Sequence, residues 1–236
     1  MKDIGIFVIC TGSYIRFLEP LNEGLQTLFL PKHKKSVYAI TDNDWTPEGT
    51  IRVYHKHEPW PNPTLFRYHW ITEFVDREKI KHDYYYYLDA DMLIVKEVGD
   101  EILGKIVATR HPGFWNCDKY NLGHEQRFIS QAFTPKKYIQ KYYAGAMNGG
   151  SGYLDMARQI IKWIDKDQKY GFTTCWNDES YLNKALAITH LPDVELSPSY
   201  CYPMESALDI KMWGLKDIDC KIACLYKNNY GFTDKE

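Results

Sequence analysis

The chain has 236 residues, with 29 lysines and arginines against 31 aspartates and glutamates, a formal net charge of −2. With 44% hydrophobic and 25% charged residues it is expected to fold as one large domain, which excludes collagen, coiled-coil and low-complexity classes. The near-neutral balance supplies no diffuse basic field for nucleic acid, and no apolar run is long enough to span a bilayer. The N-terminus lacks a charged region followed by a long apolar one, so the expectation is a soluble, unexported, cytoplasmic protein. Its six cysteines form no C-x-x-C pair and are expected as reduced thiols, a Cys220–Cys224 bridge being the less favoured alternative.

In chain order, Ile4 to Cys10 is a short continuous apolar run, the pattern of a strand buried on both faces of a largely parallel sheet. Thr11-Gly12-Ser13 and a helix-like stretch from about Phe17 to Leu30 complete a strand–loop–helix opening of the nucleotide-binding type. Ser36–Thr41 and Ile51–His55 read as further strands. Thr64 to Lys81 places Leu65, Tyr68, Ile71, Phe74 and Val75 on one helix face. The aromatic run Tyr84–Leu88 predicts a strand that ends in Asp89-Ala90-Asp91. Ile106–Thr109 is a strand candidate, residues 112–150 read as loop-heavy, and helices are expected over Tyr153–Asp167 and residues 181–189. No composition break forces a domain boundary.

Four constellations can carry chemistry. Asp89 and Asp91, two apart at a strand end inside an apolar passage, are costly to bury unless a hard divalent cation such as Mg²⁺ or Mn²⁺ pairs with them; an exposed turn is the alternative. Trp176-Asn177-Asp178-Glu179-Ser180 sets two carboxylates beside an indole, suited to a sugar carbon and a saccharide face. On residue chemistry alone a helix start, with Asn177 or Asp178 as the cap, explains the same segment better. Tyr143 to Gly152 is rich in small residues but follows neither phosphate-loop order, and serves a close ligand approach or a tight packed loop equally. His111-Pro112-Gly113-Phe114-Trp115 offers an acceptor-binding histidine or a plain turn. The runs Lys32-His33-Lys34-Lys35 and Lys136-Lys137 are expected as solvated loops.

The order of these motifs resembles glycosyltransferase family 6, the retaining family of the histo-blood-group A and B transferases and α-1,3-galactosyltransferase, in its short soluble bacterial or viral form with a D-x-D motif. The resemblance rests on V-I-C-T-G-S-Y (8–14), Trp60 with Arg67, Y-Y-L-D-A-D-M (86–92), H-P-G-F-W (111–115), H-E-Q-R-F-I-S-Q-A-F-T-P (124–135), Y-Y-A-G-A-M-N-G-G (142–150), W-N-D-E-S-Y-L-N-K (176–184) and L-S-P-S-Y (196–200). It implies one α/β domain of GT-A type, a mixed, mostly parallel sheet flanked by helices. Residues 1–95 would form the nucleotide-binding half, and 96–236 the acceptor and donor-sugar half with its C-terminal tail.

The resemblance implies a donor UDP-sugar whose uracil and ribose meet Ile9, Thr11 and Tyr14, with Arg67 reaching the donor. Asp89 and Asp91 would hold Mn²⁺ or Mg²⁺, Asp91 the more directly, and retention of both favours metal dependence, since some soluble bacterial relatives lack them. His111 and Trp176 would contact a galactoside or glycan acceptor, while Ala144, Gly145 and Ala146 contour the donor-sugar pocket. Asp178 would bond the donor sugar. Glu179 would face the anomeric carbon as nucleophile or stabiliser. Asn177 stands where the family usually has histidine; Lys227 is placed to cap the diphosphate, and the later tail arginine of animal members is missing near Thr233. Gal and GalNAc both fit the A-G-A stretch. UDP-Glc or another donor, and a catalytically weak sugar-binding protein, are the alternatives.

Overall fold

The structure, a computed structural model, describes residues 1–204 and 207–225. Its central sheet has seven strands in the order β3-β2-β1-β4-β7-β6-β8. Strands β1 (Asp3–Ile9), β2 (Lys34–Thr41), β3 (Thr50–Tyr54) and β4 (Tyr84–Asp89) run parallel. β7 (Tyr143–Gly150) is antiparallel to both β4 and β6 (Val107–Arg110), and β8 (Val194–Leu196) returns parallel to β6. A smaller sheet joins β5 (Met92–Ile94), β10 (Ile222–Cys224) and β9 (Tyr202–Pro203). This mixed, mostly parallel α/β arrangement is a GT-A type domain.

Period-two alternation divides the core between the two sheet faces. Ile4, Ile6 and Val8 of β1, Val37 and Ala39 of β2, and Tyr86 and Leu88 of β4 share one cluster with Leu18, Leu21 and Leu25 of α1 (Leu18–Thr27). Phe7, Ile9, Tyr38, Ile40, Tyr85 and Tyr87 point the other way. There they meet α3 (Arg67–Arg77), which follows the four-residue α2 (Asn62–Leu65), together with α4 (Tyr153–Lys169) and α5 (Asn177–Ile188). A short α6 (Ala207–Met212) completes the helices among the described residues.

The loop-heavy reading of residues 112–150 is corrected at its C-terminal end, where 143–150 is an interior strand. Its small residues answer the aromatics of β4. A Cβ on Gly149 would come 2.6 Å from the Tyr85 carbonyl oxygen and closer still to the Tyr86 ring, so only glycine lets the two backbones pair. The cysteine alternative is also corrected. All six cysteines are free, and the Cys224 sulfur lies 3.2 Å from that of Cys201 rather than bonded to Cys220.

The topology sets the site. Parallel strands β1 and β4 end together, with Ile9 opposite Asp89, so the loops that leave them open into one crevice. The Leu88–Met147 pairing then brings the next residue of β7, Ala146, beside Asp89.

Candidate active site

The crevice is organised around Arg67, the first residue of α3, which is 3% exposed. Its Nη1 donates to the Gly145 carbonyl at 2.9 Å and to Asp89 Oδ1 at 3.3 Å, and its Nη2 donates to Asp178 Oδ1 at 3.4 Å. The guanidinium also lies 4.4 Å from the centre of the Tyr87 ring. Burial works against its charge, but Asp178 and Asp89 hold it protonated, with its pKa well above the usual value. Asp178 Oδ2 stands 3.0 Å from Arg67 Nε as an ion pair that lacks hydrogen-bond geometry, which leaves this buried oxygen without a full hydrogen-bond donor.

Glu179 follows in the first turn of α5. Its Oε2 accepts the Gly145 N–H at 2.7 Å. A Cβ on residue 145 would sit 3.5 Å from Glu179 Oε2 and 3.6 Å from both Arg67 Nη1 and Asp178 Oδ2, so Gly145 occupies the middle of the charged cluster. Burial raises the Glu179 pKa to about 7, with Asp178 adding to the rise while the Gly145 N–H and the Tyr142 hydroxyl oppose it. Burial likewise raises Asp178 to about 7 against the pull of Arg67. A helix does start here, with both acids in the first turn of α5, but the cap is corrected: the N-cap position is Trp176, with no side-chain cap bond, rather than Asn177 or Asp178. Asn177 takes a left-handed φ of 45°, which asparagine tolerates, and this tight entry aims the two following acids at Arg67.

Asp89 Oδ1 accepts the Tyr87 hydroxyl at 2.6 Å besides the Arg67 bond, and its side chain is 32% exposed. Asp91 is half-buried beyond it, with its backbone carbonyl accepting the Leu225 N–H at 2.8 Å. Among the described residues no three His, Cys, Asp or Glu side chains cluster closely enough to enclose a metal. Two adjacent carboxylates offer the oxygen donors a hard divalent cation takes, with ligand oxygens needed to complete the shell.

The remaining expected positions divide between crevice and flank. Ile9 and Thr11 are buried at the end of β1, and Thr11 Oγ1 lies 3.2 Å from His57 Nδ1. Gly12, at φ +58°, donates its N–H to Asp42 Oδ1 at 2.7 Å, with His57 packed over it and half-buried Tyr14 one turn on. Ala144 is buried and Ala146 half-buried on β7. His111 packs at a tilt on Phe114 and edge-on to Tyr142, and burial lowers its pKa to about 4, so the imidazole is neutral at neutral pH. Trp176 is 52% exposed on the same flank. Lys227 lies outside the described residues.

Several residues that the motifs did not single out complete this flank. Glu125, 1% exposed, accepts Arg127 Nε at 2.9 Å, Arg127 Nη2 at 2.6 Å and the Cys175 N–H at 3.0 Å. Arg127 Nη2 also donates to the Thr173 carbonyl at 3.1 Å, so an ion pair between buried Glu125 and half-exposed Arg127 staples the 124–127 loop to the segment that carries Trp176. Burial alone would raise the Glu125 carboxyl, but the Arg127 bonds take it down to about 2. The E-x-R spacing within the quoted 124–135 motif was the available clue. His57 had only its place after a parallel strand.

A family model for glycosyltransferase family 6 matches residues 2–223, and the chain belongs to that family. It is 27% identical to the human globoside alpha-1,3-N-acetylgalactosaminyltransferase 1 over 94% of this chain and 68% of that protein. It is 31% identical to histo-blood group ABO system transferase 1 of Rattus norvegicus over 84% of this chain and 60% of the relative. The O-antigen biosynthesis glycosyltransferase WbnI of Escherichia coli is 28% identical, over 76% of this chain and 80% of its own length. The chain thus spans about 60% to 68% of these animal relatives. No helix among the described residues is long and apolar enough to cross a membrane.

Proposed function

We propose that the chain is a retaining transferase that moves Gal or GalNAc from a UDP-sugar to the 3-hydroxyl of a galactoside in α linkage. The observation that carries this reading is the pair Asp178 and Glu179. Asp178 is buried against the Arg67 guanidinium, and half-buried Glu179 follows it with one oxygen fixed by the Gly145 N–H. The buried Asp178 Oδ2, without a full hydrogen-bond donor, suits a donor-sugar hydroxyl. A fixed, half-buried carboxylate suits positive charge that develops at an anomeric carbon, because prior orientation strengthens the attraction.

In the reaction, the bond from the anomeric carbon to the diphosphate breaks, a bond to the acceptor oxygen forms, and the acceptor proton leaves with the diphosphate. Glu179 serves as nucleophile or as stabiliser, and either role retains configuration. Arg67 keeps the two acids in place. Asp89 and Asp91 would hold Mn²⁺ or Mg²⁺, which supplies charge neutralisation for the departing diphosphate. The relative named as a globoside alpha-1,3-N-acetylgalactosaminyltransferase supports the α-1,3 linkage and the GalNAc donor. The test is UDP release from UDP-Gal, UDP-GalNAc, UDP-Glc and UDP-GlcNAc, with lactose, in Mn²⁺ and in EDTA. Preference for UDP-Gal or UDP-GalNAc, abolished by EDTA, is expected; preference for UDP-Glc, or turnover indifferent to EDTA, refutes the donor or the metal.

A further inference from the structure

Outside the crevice, three lysines converge on one cavity. Lys119 stands on a short 3-10 turn, Lys119–Asn121, pinned by Asp118 Oδ1, which accepts the Tyr120 N–H at 2.9 Å. Lys136 and Lys137 open a second such turn, Lys136–Tyr138. The two turns border a cavity of about 490 Å³ whose other polar walls are Gln126, Gln140 and Tyr120, with no acidic residue. We propose that this cavity is an anion subsite for the acceptor, which takes a carboxylate or phosphate carried on the aglycone side of the accepting galactose. The proposal rests on the galactoside-accepting reading above.

Charge and position both support it. The chain is net negative, yet the basic groups of this stretch outnumber its acids. Arg127 is neutralised by Glu125 and Lys141 by Glu195, which leaves Lys119, Lys136 and Lys137 without a carboxylate among the described residues. Lys119 Nζ lies 5.3 Å from the Tyr120 ring centre and Lys137 Nζ 4.8 Å from that of Tyr138. Aromatic faces hold the ammonium groups but accept none of their N–H donors in full, so the donors stay available to an oxyanion. Tyr120, 75% exposed, offers a flat apolar face at the rim, which suits a sugar ring.

The floor of the cavity ties it to the reaction centre. Leu122 and Ile139 pack with Tyr142 and Phe114, and Tyr142 is near enough to Glu179 for each to influence the other's titration. At the next residue, a Cβ on Gly123 would come 3.0 Å from Phe114 and 3.1 Å from Trp176 Nε1; glycine there lets the loop press onto the aromatics of the acceptor flank. The lysines therefore sit on the outer side of the Leu122–Ile139–Tyr142 cluster, whose inner side faces the acceptor flank. A group bound there belongs to the same acceptor molecule, beyond the galactose that reacts.

Lactose, lactose 1-phosphate and lactobionate present the same galactose with no charge, a phosphate and a carboxylate. Each is titrated into the full chain with UDP and Mn²⁺, and acceptor KM is measured with the preferred donor. The same is done for the K119Q/K136Q/K137Q variant, with melting temperature as the fold control. At low salt the charged acceptors are expected to bind roughly tenfold more tightly than lactose, an advantage that shrinks at about 0.3 M NaCl and is lost in the variant. Gain with phosphate alone assigns a phosphate-bearing acceptor, and gain with carboxylate alone an acidic sugar. Equal affinity for all three, or an advantage that survives the triple substitution, overturns the subsite. Lysine-dependent binding of lactose 1-phosphate without turnover from any UDP-sugar would sustain the anion site while it refutes the proposed reaction.

Discussion

Replacing Arg67 by Met removes the guanidinium that faces Asp178, Asp89 and the Gly145 carbonyl, and its cost should depend on pH in a way the structure dictates. The folded pKa of Asp178 is raised to about 7, so its contribution to stability is intact at low pH and falls as pH rises toward that value. Below about pH 6 the Asp178 carboxyl is protonated with or without Arg67, and the loss reduces to the Asp89 and Gly145 contacts and the Tyr87 ring contact, on the order of 1–3 kcal/mol. Without the guanidinium the Asp178 pKa climbs further. Each unit of climb costs about 1.4 kcal/mol once the pH passes it, so a climb of about two units adds about 3 kcal/mol near pH 9. For a domain of this length, each kcal/mol lowers Tm by about 2–4 °C. Thermal unfolding of both proteins, followed by circular dichroism from pH 6 to 9, should show a gap that widens by about 6–12 °C toward alkaline pH. A gap constant with pH, or one that widens toward acid, refutes the account of Arg67 as the counter-charge.

Glu125→Gln breaks the staple to Cys175 and Arg127 and should cost on the order of 2 kcal/mol at neutral pH once the half-exposed Arg127 is allowed for, measured by urea unfolding. Because the Glu125 pKa is lowered to about 2, that difference should persist above about pH 4.5 and vanish as acid titrates the wild type. Gly149→Ala has no room against Tyr85 and Tyr86 and should destabilise by at least about 1–3 kcal/mol in the same assay; a neutral result would contradict the packing of β7 on β4. Turnover should rise with pH through about 7 as Glu179 ionises, and a flat pH–rate profile from 6 to 8 would contradict the need for its charge.

Much of this architecture was legible before the structure. The apolar run of β1 and the aromatic run of β4 announce buried strands, because interior parallel strands need no polar face. Asp89 stood out because an acid in such a run demands a partner. The interior strand β7 did not, since its residues were selected for the absence of side chains and small residues carry no period. The strands of the smaller sheet are two or three residues long, below the length at which alternation can be read. Arg67 was expected near the donor. Its contact with Asp178 spans 111 residues, and no local pattern reports a bond of that range. The helix start at this segment was legible, but the capping role given to Asn177 or Asp178 was not borne out, because Asp178 is taken by the buried guanidinium.

Glu179→Gln tests the central claim most directly, since it keeps the size of the side chain and removes the charge held at the Gly145 N–H. UDP release with the preferred donor and lactose should fall by at least about a hundredfold, with Tm and UDP binding preserved. Turnover at the wild-type rate in a folded Glu179→Gln protein would contradict the assignment of this carboxylate to the reaction centre.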